Sequence, residues 1–82
     1  MAGLELYVLP GCPYCRKVQD KLDELGLEYE EHRVPADHAR RETVRELSGQ
    51  TGVPVLSDSE NGIEGMAESE DIVRYLEATY GN

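Results

Sequence analysis

Apolar and polar residues alternate over Leu4-Glu5-Leu6-Tyr7 and then turn wholly apolar at Val8-Leu9, the pattern of a strand buried on at least one face. Pro10 and Gly11 end it. Pro13 stands where a helix opens, because proline is favoured at the first helical position. Val18, Leu22 and Leu25 follow at helical spacing, and Gly26 supplies the stop. Leu27, Tyr29 and Val34, set among charges, predict a half-exposed second strand over residues 27–34. Pro35-Ala36-Asp37 opens a polar helix, with Asp37 as N-cap and Ala39, Val44 and Leu47 as its few apolar positions, ended by Ser48-Gly49. Val53-Pro54-Val55-Leu56 reads as a short apolar strand, and the turn residues Asp58 to Gly62 lead into a return strand over Ile63 to Met66. Ser69 is the expected cap of a last helix. Glu70 and Asp71 lie at its positive end, and Ile72, Tyr75, Leu76 and Thr79 form its inner stripe.

The order is β-α-β-α-β-β-α, an α/β protein with a four-stranded mixed sheet. The first β-α-β is a right-handed crossover between parallel strands, and the later hairpin is antiparallel. The 82 residues form a single domain, 1–82, without repeats or linkers. With no Trp or Phe, the core falls to Leu, Val, Ile and Tyr. A net charge of −9 argues against nucleic-acid and anionic-membrane surfaces as partners, since both need a basic face. No run approaches the roughly 18 apolar residues of a membrane span, and the N-terminus lacks the features of a leader. The expectation is a cytoplasmic monomer. Two lysines against 17 acids resemble the surfaces of proteins from salt-loving archaea, the alternative being an ordinary acidic bacterial protein.

Chemistry concentrates in Cys12-Pro13-Tyr14-Cys15. A Cys-x-x-Cys between a strand and a helix is the thioredoxin-like arrangement. A thiol at a helix N-terminus sits near unpaired N–H groups and the positive end of the dipole, and both stabilise the thiolate. Cys12 is therefore the expected nucleophile. Cys15, one turn along, is the expected resolving thiol. Arg16 and Lys17 add positive charge beside the pair, either tuning the thiolate or simply meeting solvent. Cys12, Cys15, His32 and His38 also offer zinc-ligand types in finger-like order. However, 16 residues separate Cys15 from His32, against about twelve in a finger, and His32 falls in a strand. No metal is expected there, and both histidines read as surface residues.

Cys12-Pro13-Tyr14-Cys15 resembles the active-site tetrapeptide of dithiol glutaredoxins. Gly52-Val53-Pro54 resembles that family's Val-Pro turn. Met66 to Leu76, with Glu68-Ser69 and Ile72…Tyr75-Leu76, is similar to a segment of glutathione-transferase N-terminal domains. The two-domain glutaredoxins of bacteria combine all three features. This resemblance implies a thioredoxin-like (glutaredoxin) fold and a cis Val53–Pro54 peptide. It also implies a γ-glutamyl thiol held by Val53, Pro54, Glu68 and Ser69, with Pro13 and Tyr14 supporting the site. Disulfide-containing proteins are the implied partners, and no cofactor is tightly bound. Two departures stand out. Glutaredoxins often carry one cation three positions before the nucleophile and another before the Val-Pro turn. In this chain those places hold Leu9 and Gln50-Thr51-Gly52. Because those cations hold the glycyl carboxylate of glutathione, γ-glutamylcysteine is expected to serve at least as well as glutathione. Two other readings stay open: a thioredoxin-like protein recycled by a flavoprotein reductase, and an iron–sulfur carrier using Cys12.

Overall fold

A computed structural model describes residues 3–81, except for the side chain of His38. The elements are β1 (Leu4–Val8), α1 (Pro13–Glu24), β2 (Glu30–Arg33), a 3₁₀ turn (His38–Arg40), α2 (Glu42–Ser48), β3 (Val55–Asp58), β4 (Ile63–Met66) and α3 (Ser69–Tyr80). The sheet order is β2-β1-β3-β4. β1 runs parallel to β2, and the β1–β3 and β3–β4 pairs are antiparallel. This is the thioredoxin-like fold. None of the described helices is long and apolar enough to cross a membrane.

Alternation along β1 sends Leu4, Leu6 and Val8 to one face, where they pack with Val18 and Leu22 of α1, Leu56 of β3, and Ile72 and Leu76 of α3. Burying each of these side chains contributes on the order of 1.5–3 kcal/mol. Lys21 reinforces the α1–α3 contact, donating to Glu77 of α3 at 2.9 Å and to Glu24 at 2.7 Å. α2 packs against β4 instead. There Gly65, at φ 70°, lets the strand pass under the helix, since a Cβ at this position would collide with the Leu47 carbonyl. β3, an interior strand of the sheet, is buried along its whole length.

Several expectations are corrected. β2 is shorter than residues 27–34; Leu27 and Tyr29 reach the core before the strand begins. β3 starts two residues later than expected, because Pro54 has no N–H to give a ladder. The polar helix is broken in two. Asp37 caps only the 3₁₀ turn, its Oδ1 accepting from Ala39 N at 3.0 Å, and α2 begins after Arg41, whose backbone leaves helical geometry. Glu68, not Ser69, occupies the cap position of α3, and its side chain makes no capping bond. Along α3, Thr79 is exposed rather than part of the inner stripe.

Candidate active site

β1 delivers the chain to Cys12, whose N–H donates to the Leu9 carbonyl at 3.1 Å. Cys12 is the N-cap of α1 and Pro13 its first residue. The Cys12 Sγ accepts from the Cys15 N–H at 3.4 Å, in the role a Ser or Asp oxygen plays at other helix starts. Both thiols are free. Cys12 is half-buried, whereas Cys15 is buried in the core cluster.

Burial alone pushes the Cys12 thiol up. Hydrogen bonding from Cys15, the Tyr14 and Cys15 backbone N–H groups and the charge of Arg41 outweigh it, leaving the pKa below the ordinary 9.0. Burial pushes Cys15 to about 11, aided by its hydrogen bond to Cys12 and the Cys12 charge. One environment thus lowers one thiol and raises the other.

Sequence reasoning missed Arg41. It is 3% exposed, and its guanidinium is surrounded by carbonyls. Nε donates to Pro35 O at 2.7 Å, Nη1 to Thr51 O at 2.8 Å and Nη2 to Ala36 O at 3.3 Å. It therefore ties the loop after β2 to the loop before Val53 and sets a buried positive charge whose influence reaches both cysteines. Its signal in the sequence is faint: an Arg-Arg pair inside an otherwise amphipathic polar helix. Arg16, by contrast, is largely exposed and pairs with Asp20 at 3.2 Å.

Two clefts flank the tetrapeptide. One, of about 400 Å³, runs past Leu9, Cys12, Arg16, Glu31 and Arg33. The other, of about 430 Å³, lies between Tyr14, Lys17, Val53, Pro54 and the start of α3 at Glu68 and Ser69. The Val53–Pro54 peptide is cis. Glu68 has φ 71°, a left-handed conformation that costs a side-chain-bearing residue on the order of 1–3 kcal/mol and that clusters at ligand clamps. The first N–H groups of α3 have no partner within the helix, and the helix starts on this cleft. All four residues expected to hold a thiol are therefore brought together. Lys17 supplies the same cleft with a cation from α1, at neither of the two positions where the resemblance led one to look for it.

His32 is not gathered with the thiols, and Cys12 and Cys15 acquire no third metal-ligating side chain among the described residues. His32, expected at the surface, is half-buried and stacked on Tyr7 with ring centroids 4.8 Å apart. The His38 side chain lies outside those described.

Residues 6–82 match the family model of the glutathione S-transferase N-terminal domain. A glutaredoxin-like 8.6 kDa protein encoded in the rubredoxin operon of Clostridium pasteurianum is 34% identical over 67 residues, 82% of this chain and 89% of the relative. Glutaredoxin 3 of Escherichia coli K12 is 35% identical over 56 residues, 68% of each chain. Among solved structures, glutaredoxin 2 of Salmonella typhimurium in complex with glutathione superposes with a TM-score of 0.79 at 27% identity over 94% of this chain. A glutathione transferase of Phanerochaete chrysosporium in complex with oxidised glutathione gives 0.86 at 30% identity over 99%. This chain spans 34% and 38% of those two longer proteins. With the strand-to-helix dithiol, the cis proline and the start of α3 meeting at one pole of the sheet, the chain belongs to the glutaredoxin family and carries the pattern of a glutathione-transferase N-terminal domain.

Proposed function

We propose that the chain is a dithiol thiol–disulfide oxidoreductase that reduces disulfides, in proteins or in small mixed disulfides, and is recycled by a γ-glutamyl thiol. The observation that carries this is the split between the two thiols: Cys12 is the half-buried cap of α1, its Sγ accepting from the Cys15 N–H at 3.4 Å, while Cys15 is buried beneath it, where burial pushes its thiol up to about 11.

In the first step the Cys12 thiolate attacks one sulfur of the substrate disulfide. A Cys12 mixed disulfide forms, and the other substrate thiolate leaves and takes a proton from solvent. The Cys12 negative charge is then gone, and with it two of the influences that hold Cys15 protonated. Cys15 loses its proton more easily at that moment and attacks Cys12 Sγ. The intramolecular disulfide closes and the second substrate thiol is released. Two γ-glutamyl thiols then reduce Cys12–Cys15 and leave as their own disulfide. The buried resolving thiol is thus activated only after its partner has reacted.

The cleft between Tyr14, Val53-Pro54 and Glu68-Ser69 suits the γ-glutamyl thiol. The start of α3 favours its α-carboxylate, and Glu68 suits its ammonium. Lys17 of α1 also lines this cleft and provides a carboxylate partner that neither Leu9 nor Gln50-Thr51-Gly52 supplies. Glutathione and γ-glutamylcysteine are both proposed co-substrates.

Disulfide-reductase assays of Cys12→Ser and Cys15→Ser with each thiol test the assignment. Cys12→Ser is expected to fall to the uncatalysed rate. Cys15→Ser is expected to keep turnover of small mixed disulfides, which need only the first thiol. The reverse pattern overturns both roles.

A further inference from the structure

The face of the sheet opposite α1 and α3 carries a second cluster of reactive side chains. Alternation puts Glu5 and Tyr7 of β1 on that face. The parallel register sets Glu5 beside Glu30 and Tyr7 beside His32. The His32 ring stacks on Tyr7, and its Nε2 lies 2.9 Å from Glu5 Oε1. One ligand atom from each of Glu5, Glu30 and His32 falls within 4.8 Å of the others.

We propose that Glu5, Glu30 and His32 form a binding site for a divalent transition-metal ion of the zinc type, holding it with two carboxylates and one imidazole. Three observations support the reading. First, the ligands stand on two hydrogen-bonded strands, so the backbone register brings Glu5, Glu30 and His32 together without loop ordering. Second, the spacing is right. Metal–ligand bonds of about 2.0–2.2 Å at right-angled to tetrahedral geometry put donor atoms about 3.0–3.5 Å apart. The Glu5–His32 separation is already close to that, and Glu30, being exposed, has freedom to close the remainder. Third, two carboxylates side by side on neighbouring strands repel each other, and among the described residues no lysine or arginine forms a salt bridge with either. A dication between them removes that repulsion.

The donor set selects the ion class. With no thiolate it does not favour soft cuprous ions, and the imidazole disfavours calcium and magnesium relative to zinc, nickel or cobalt. The bound ion would clamp β2, an edge strand, onto β1. It would also sit across the sheet from the α1–α3 face.

The test uses the full chain with Cys12→Ser and Cys15→Ser, which removes the thiols as competing ligands. Zinc is titrated calorimetrically at neutral pH, in parallel with NMR of the histidine ring nitrogens. One ion per chain is expected, with a shift confined to the His32 ring. His32→Gln and Glu30→Gln should each weaken binding by about tenfold or more, while Glu46→Gln, on α2, leaves it unchanged. Melting curves without metal confirm that each variant is folded. If all variants bind zinc alike, or if the His38 ring moves and the His32 ring does not, the ion is merely held by the acidic surface and the proposal fails.

Discussion

The two ends of the central strands treat polar groups in opposite ways. At one pole, where β1 ends, a half-buried thiol and a helix start face two open clefts. At the other pole Asp58, paired in register with Leu4, is fully buried and wholly satisfied. Its Oδ2 accepts from Tyr75 Oη at 2.6 Å, Asn61 Nδ2 at 2.8 Å and the Tyr80 hydroxyl, and its Oδ1 accepts from Glu60 N at 3.2 Å. Burial alone pushes the Asp58 carboxyl up. The hydrogen bonds from Tyr75, Tyr80, Asn61 and Glu60 outweigh it, so the group stays ionised below its ordinary 3.8. Burial, followed by the Asp58 bond, pushes Tyr75 to about 12; the Asp58 bond, followed by burial, pushes Tyr80 to about 12. The lesson is a division of labour. The Asp58 pole locks the end of α3 to the sheet, and the thiol pole is left with groups still free to react.

Substitutions can break this contrast. The largest stability effect is expected at the locked pole. Asp58→Ala leaves two tyrosine hydroxyls without their acceptor and should cost about 3 kcal/mol in urea unfolding, with activity per folded molecule preserved. The same carboxyl predicts an acid limit. Its folded pKa is lowered, so its contribution is complete above the ordinary carboxylate value and is lost as pH falls through the lowered one. Asp58→Asn should flatten that acid limb of the stability curve.

Arg41 joins the contrast, since it is locked like Asp58 yet acts on the open pole. Arg41→Met should cost about 2 kcal/mol, because three carbonyls lose a charged donor. It should also raise the Cys12 pKa, read as an upward shift in the pH dependence of iodoacetamide alkylation. A stability loss with no such shift would make Arg41 purely structural. Glu68→Gly should act in the opposite sense, stabilising by about 1 kcal/mol as the left-handed cap relaxes. It should nonetheless raise the KM for the γ-glutamyl thiol. The smallest effect belongs to Arg16→Ala: within about 0.5 kcal/mol in stability and no change in the alkylation profile, because the side chain is spent on an exposed pair with Asp20.

Periodicity made the element order legible, and the strand-to-helix cysteines made the dithiol legible, because both are local. What stayed hidden depends on long-range contacts. Asp58 looks like turn chemistry, and its Asx-type bond to Glu60 is part of its role; nothing local shows that Tyr75 and Tyr80 return to it from 17 and 22 residues away. Arg41 looks like helix surface, yet the chain breaks the helix there to turn the guanidinium inward. The Ser69 expectation failed for a related reason, since the capping preference of serine was overridden by the backbone turn at Glu68. The cations expected near the thiols were sought at neighbouring positions, and the one whose charge reaches them comes from a separate loop.

The outer strand β2 has one further consequence. Its free edge exposes backbone N–H and C=O groups, the template on which one sheet extends into the next. Every residue along it, Glu30, Glu31, His32 and Arg33, is charged or imidazole-bearing. Pairing a second copy there would strip water from this row of polar side chains, so the strand that contributes least to the core blunts the edge against extension of its own sheet.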